Sequence, residues 1–425
     1  DTENHNMAIG LNAMGGPVAG GEFNVAVGNY TLDALTSADN NTVVGYEAGT
    51  AVTTGPHNVL IGKQAGAKIT EGEKNVILGS QAGAELVGDG GDFNILIGYA
   101  AGNALTTTNS SIFIGHESGD GHDTENDNIG IGRGALGGSI AGGEFNVAVG
   151  NYSLDSLTSG DFNTAVGHNA GSAVTTAEGG VYVGRSAGAA LTVGGNNVAL
   201  GHEALTAAQG DRYNVAIGYD TLKAFNTGTS VNDTEHVAVG AQAGLRVNTG
   251  TACTLIGGSA GSNITSGSNN TCVGQGAGGG SSPRNITNES NNIVLGNNSI
   301  TDASIKVDWT VTSDKRDKTD VEALTMGLDF VNQLNPVTYR WDMRSDYDDA
   351  TPDGTHKKQK LFSGLLAQDV ETLERTYNYK VEDETALITS KGEDGNYGLT
   401  YQRLIPVLIN AVKELSAKVT ALENA

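Results

Sequence analysis

The sequence predicts a mainly β protein: a long stack of short parallel strands, about 17 residues per turn, followed by a small non-repetitive α+β domain. Three observations carry that expectation. A glycine preceded by an apolar triplet recurs seventeen times between Gly10 and Gly296. The spacing is mostly 17, and it stretches to 18, 19 or 22 where a loop has lengthened. Composition then changes abruptly near residue 310: 56 of the 62 glycines precede residue 313, whereas 14 of the 24 basic residues follow it.

Each position of the repeat has a physical reading. The residue before the rung glycine is Ile, Val or Leu in every copy, and Asn stands four before it in 13 copies, as in Asn24-Val25-Ala26-Val27-Gly28. Three after the glycine comes Ala, Ser or Thr, and then either Gly or a larger apolar residue. Seventeen residues are too few for a helix–turn–helix repeat, but they fit one β-branched strand and a small-residue segment that could form a second strand. Side chains alternate across a strand, so triplets such as Val59-Leu60-Ile61 ask for burial on both faces. The inside of the coil can take one face, and a second copy of the chain is the simplest cover for the other. The recurrent Asn fits a ladder of stacked amides, and the recurrent Gly fits corners of positive φ.

A longer period overlies the short one. Gly20 to Tyr30 returns intact at Gly142 to Tyr152, and Asp1-Thr2-Glu3-Asn4 returns at Asp123 to Asn126. Residue 1 therefore lies inside a repeat, and further sequence is expected upstream.

Composition excludes several classes. Acids outnumber bases 48 to 24, for a net charge of −24, which argues against nucleic acid as a partner. No apolar run approaches a membrane span, so no membrane insertion is expected. Cys253 and Cys272 make no disulfide framework and are expected to be buried thiols. Trp309 and Trp341 both lie near or beyond the compositional break.

The Asn-x-Val-Ala-Val-Gly rungs resemble the head repeats of trimeric autotransporter adhesins of the YadA type over about 290 residues. That resemblance implies a left-handed parallel β-roll with three chains around one axis. Domain boundaries are expected at 1–300 for the array, 301–312 for a connector, and 313–425 for the second domain.

The second domain opens on Ser313-Asp314-Lys315-Arg316-Asp317-Lys318. Leu334-Asn335-Pro336-Val337 and Phe362-Ser363-Gly364-Leu365-Leu366-Ala367-Gln368-Asp369-Val370 follow in order. Serine is a weak nucleophile until a base takes its proton, and lysine can be that base only where burial lowers its pKa. Five residues apart, Ser313 and Lys318 can meet in a turn; alternatively Ser313 could cap a helix. This order of motifs resembles the peptidase S74 domain, the intramolecular chaperone that ends phage tail fibres, tailspikes and endosialidases. The resemblance implies that Ser313 attacks the carbonyl of Thr312 with Lys318 as base, releasing residues 313–425.

Near the C-terminus, Ile405, Leu408, Val412, Leu415, Val419 and Leu422 are spaced 3 and 4 apart, predicting a coiled coil over about 401–424. Those a and d residues alone favour a parallel dimer, in conflict with the trimer that the shaft's resemblance implies; three heptads are too short to decide against it. Seventeen similar rungs also specify inter-chain register poorly, a task that suits a non-repetitive C-terminal domain.

The expected protein is thus a homotrimeric phage tail fibre in the virion tail, made in the host cytoplasm. It would join other tail proteins upstream and bind a host surface receptor, a glycan or outer-membrane protein. The alternatives are a bacterial trimeric adhesin and a tailspike depolymerase. No cofactor and no metal is expected. His116, His168 and His202 follow rung glycines and read as a solvated column. Gly184-Arg185-Ser186-Ala187-Gly188 reads as a rung corner, not a nucleophile elbow. Asp89 and Asp92 read as loop acids.

Overall fold

The computed structural model describes residues 5–87, 91–138, 142–306, 310–392 and 395–425. Asp1–Asn4, Asp89 and Trp309 lie outside them. The chain divides into two compact units, Asp1–Gly279 with Ile286–Gly296, and Gly280–Asn285 with Asn297–Ala425.

In the first unit, each apolar triplet becomes a three-residue strand, from Met7–Ile9 to Ile293–Leu295. The seventeen strands form one sheet. All neighbours are parallel and in step, as in Val25↔Thr42, Ala26↔Val43 and Val27↔Val44. This is a parallel β-solenoid. A strand of three residues is far below the usual five or six, and it persists because every rung repeats its hydrogen bonds. Val25 N–H donates to Asn41 O (2.8 Å), and Gly45 N–H donates to Val27 O (2.9 Å).

The asparagines form the expected internal ladder. Asn41 donates its backbone N–H and its Nδ2 to Asn24 Oδ1, at 3.0 and 3.1 Å. Asn58 N–H then donates to Asn41 Oδ1 (2.9 Å), and Asn75 N–H to Asn58 Oδ1 (3.0 Å). These amides are fully buried, where each would be costly without a partner. His236 takes one ladder place as a neutral ring: Nδ1 accepts from Cys253 N–H (3.2 Å), so Nε2 donates to Gly250 O (2.7 Å).

The opposite side of each coil differs from the expectation. The small-residue segment folds as turns, because residues two and four after the rung glycine adopt left-handed conformations, such as Gln64 (φ 58°) and Gly66 (φ 56°). It is still tied rung to rung, with Gly49 N–H on Ala65 O and Thr53 N–H on Thr70 O. Glycine also supplies only part of the positive φ. The residue five before the rung glycine is left-handed too, yet it is His57, Lys74, Phe93 or Phe162 in different rungs. Such residues carry strain of about 1–2 kcal/mol each.

The rung glycine itself is irreplaceable. At Gly62 φ is +137°, and a Cβ would lie 2.4 Å from Gly79 O.

Core volume is balanced within a rung and between neighbouring rungs. Where the central strand residue is large (Leu60, Ile77, Leu96, Phe113, Tyr182), the position four after the glycine is Gly66, Gly83, Gly102, Gly119 or Gly188. In five rungs where it is small (Ala26, Gly130, Ala148, Ala199, Ala216), that position is a buried Leu32, Leu136, Leu154, Leu205 or Leu222. Ala165 and Ala238 instead stand with Gly171 and Gly244, whose space is taken by Leu154 and Tyr182 or by Leu222 and Leu255 of the adjacent rungs. A Cβ on Gly83 would meet Ile77 Cδ1 of its own rung at 3.1 Å and Leu96 Cδ1 of the next rung at 2.7 Å, so side chains of both rungs compete for that space.

Among its described residues the second unit holds three α-helices: α1 (Leu328–Gln333), α2 (Ala367–Thr376) and α3 (Leu404–Glu423). Two antiparallel pairs accompany them, Val337–Tyr339 with Phe362–Gly364 and Thr389–Lys391 with Tyr397–Leu399. Met326, Phe330, Val370, Ile388, Leu404 and Val407 form its core. Among the described residues, no helix is long and apolar enough to cross a membrane.

Candidate functional site

The segment from residue 310 to α1 has no regular structure apart from one 3-10 turn at Lys315–Asp317. Asp314 caps that turn, with its Oδ1 accepting from Arg316 N–H at 2.9 Å and its carboxylate paired with the Arg316 guanidinium. The capping role expected as the alternative for Ser313 therefore falls to Asp314. Those hydrogen bonds hold the Asp314 carboxyl below the usual carboxylate range. Lys318 N–H closes the turn on Lys315 O.

The turn folds the lysine back over the serine. Lys318 Nζ lies 2.5 Å from Ser313 Oγ, within reach for proton transfer from a nucleophile to a base. Thr312, Ser313 and Lys318 are all exposed in the protomer. The burial that a lysine base requires is therefore absent within one copy.

The rest of the unit is held by buried polar contacts. Glu374 in α2 is fully buried and accepts from the backbone N–H of Leu387 (2.8 Å), Ile388 (2.8 Å) and Thr389 (3.0 Å), and from Thr389 Oγ1. No motif reading singled out Glu374. Its signal in the sequence is an acid on the apolar side of α2, beside Val370.

Two side chains of α3 reach a distant segment. Glu414 Oε2 accepts from Leu328 N–H at the start of α1 (2.9 Å), and Asn410 Nδ2 donates to Leu324 O (2.8 Å). Leu404, Val407 and Ala411 are buried on that face. The heptad residues Ile405, Leu408, Val412, Leu415, Val419 and Leu422 are 45–78% exposed.

The solenoid's candidate sites resolve into structural roles. Ser186 sits at a corner with φ 56°. Asp92 Oδ1 accepts from Glu73 N–H (2.8 Å). His202, Glu203 and Asp220 cluster as metal ligands would, but Lys223 Nζ lies between the acids, 2.6 Å from Glu203 and 3.0 Å from Asp220. A cation of the chain already fills the space. His116, His168 and His202 are spread over separate rungs, and Cys253 and Cys272 are buried free thiols.

No curated protein and no solved structure matched the chain. Residues 313–374, beginning at the serine itself, match the family model of the peptidase S74 chaperone of endosialidase, and a β-solenoid joined to such a domain fits a tail-fibre-like or endosialidase-like protein.

Proposed function

We propose that this chain is a homotrimeric phage tail fibre that binds a host surface receptor, and that its C-terminal domain directs assembly before cutting itself away. The observation that carries the reading is the 2.5 Å approach of Lys318 Nζ to Ser313 Oγ at the first residue of the family match.

Cleavage follows from that geometry. Ser313 Oγ attacks the Thr312 carbonyl carbon while Lys318 accepts the hydroxyl proton. The tetrahedral intermediate collapses, the Thr312–Ser313 C–N bond breaks, and the proton passes to the leaving Ser313 amine. Water then hydrolyses the resulting ester on Ser313 Oγ, leaving a Thr312 carboxylate and a free 313–425 fragment. Neighbouring copies would supply the burial that Lys318 lacks within one copy, which ties cutting to assembly.

Unpaired apolar faces support the trimer. The heptad seam of α3 faces solvent in the protomer, although the helix's other side is packed. In the solenoid, the outer residues of the strands are partly exposed while the central ones are buried, as with Val59-Leu60-Ile61. Removing the domain after folding would leave the shaft kinetically trapped. The shaft would sit in the virion tail, attached through other tail proteins.

Intact-mass measurement under native and denaturing conditions tests the reading. Wild type should be a trimer whose denatured chains appear as two fragments divided at Thr312–Ser313, and Ser313→Ala should remain one full-length chain. Uncut wild-type chains in a folded trimer would remove the autoproteolysis, and a monomer would remove the assembly.

A further inference from the structure

Two columns, one exposed and the other exposed or half-buried, flank the strands of the solenoid, and their residues match in six rungs. Five residues before the rung glycine, the fold asks only for a left-handed conformation, which Asn40, Ser110, Asp127, Asn196 and Asn269 supply in several rungs. Yet Phe23, Phe93, Phe145, Phe162 and Tyr213 occupy the same column, between 45% and 62% exposed. Within the chain these rings pack along their own column, as Phe145 on Phe162 with ring centroids 5.3 Å apart, and they keep about half of their surface exposed.

The other column lies one or two residues after the glycine. In the five aromatic rungs it carries Tyr30, Tyr99, Tyr152, His168 and Tyr219. Tyrosine thus stands there in four of these five rungs, against one (Tyr46) of the other twelve. The Gly132 rung carries a different pair, Asp127 at one end and Arg133 at the other. Both are exposed, and neither has an ion-pair partner among the described residues.

The matched residues cannot touch within one chain. They are six or seven residues apart on either side of an extended triplet, roughly 15–20 Å. A ring of copies around an axis along the shaft places equal rungs at equal height. Such a ring needs a head-to-tail contact between two different surfaces, and the two ends of each strand are such a pair.

We propose that the two columns meet across the subunit boundary, the leading column of one copy against the trailing column of the next. Phe or Tyr then packs on Tyr or His, and Asp127 pairs with Arg133 of the next copy. This inference rests on the trimer reading and gives the shaft its own source of register. A slip of one rung would set Arg133 opposite Ser110 or Phe145 instead of Asp127.

A charge-reversal cycle on the full chain tests it, read as the temperature at which the oligomer dissociates. Asp127→Arg and Arg133→Asp each place like charges at every boundary and should lower that temperature by about 3 °C or more. The double variant, with the pair reversed, should recover more than half of the summed loss. The cycle cancels within-chain effects, including the loss of Arg133 from its place 5.7 Å from the Tyr152 ring centroid. Additive losses in a trimer would overturn the pairing while leaving the trimer reading intact. A wild-type chain that is not a trimer would overturn the trimer reading and, with it, the inference.

Discussion

In the solenoid a polar side chain finds its partner one rung away: Asn58 bonds Asn41, 17 residues back. In the C-terminal unit Glu414 bonds Leu328 N–H across 86 residues, and Asn410 reaches Leu324 over the same span. The first kind of contact recurs along the stack and is tolerant of local variation. The second occurs once and defines a single arrangement. Short-range repetition makes a long fibre from a simple rule, but a rule that repeats is a poor guide to which rung faces which. On the proposed reading, a domain built on such unique contacts would add an address that the repeats specify poorly.

The sharpest way to break the comparison is to insert one methyl group in each unit. Gly62→Ala forces a side chain into φ +137° and against Gly79 O. It should cost about 4 kcal/mol or more, seen as an early step in thermal unfolding of the shaft. Gly354→Ala, at φ +93° with open space around it, should cost only about 1 kcal/mol. Equal losses would contradict the idea that the solenoid backbone is the more constrained of the two.

A smaller effect separates the units the other way. Glu374→Gln sets an amide donor against one of the N–H groups that now meet a carboxylate, and should destabilise the C-terminal unit by about 3 kcal/mol. Hydrogen exchange should rise at Leu387–Thr389 and stay unchanged along the rungs. Spread of the effect into the shaft would show that the units unfold together.

Acid should act on the shaft first. Burial lowers the His122 pKa to about 3 and that of His236 to about 4, from an ordinary 6.5. Both rings are therefore neutral when folded, and unfolding lets them take up protons once the pH falls below about 6.5. Their full stability is present above that pH and is lost progressively down to the folded values. At pH 5 each loss is roughly 2 kcal/mol. Glu125 Oε2, 4.0 Å from His122 Nδ1, is the nearest acid that could soften it. His236→Asn, which restores the ladder amide, should reduce the pH slope of shaft stability between about 4 and 6.5 by one proton. An unchanged slope would place the acid sensitivity elsewhere.

Much of the fold was legible because the rung is local. The Asn ladder, the strand triplets and the choice of Gly66 or Leu32 four after the rung glycine follow from residues near one another in sequence. The coupling of that choice to the central strand residue needed the packed core. The turns on the far side were not legible. Their left-handed residues include Gln64 and Glu47, whose types carry no glycine signal, and the stacking of neighbouring rungs holds them there. In the site, the Ser313–Lys318 spacing was readable, but the cap on Asp314 and the exposure of both residues were not, since each depends on how the chain turns at Lys315–Asp317. Glu374 was hidden for a similar reason: its donors lie 13 to 15 residues onward in a segment that only tertiary packing brings back.

By itself the sequence determined the period, the strand positions, the amide ladder and the change of regime near residue 310, because all of these are set by residue type at fixed short spacing. Only the tertiary structure decided which side of the coil is turn, which face of α3 is buried, and how far Lys318 stands from Ser313. Those depend on backbone conformations stabilised by neighbours, and on which of two apolar faces of one helix finds a partner within its own chain.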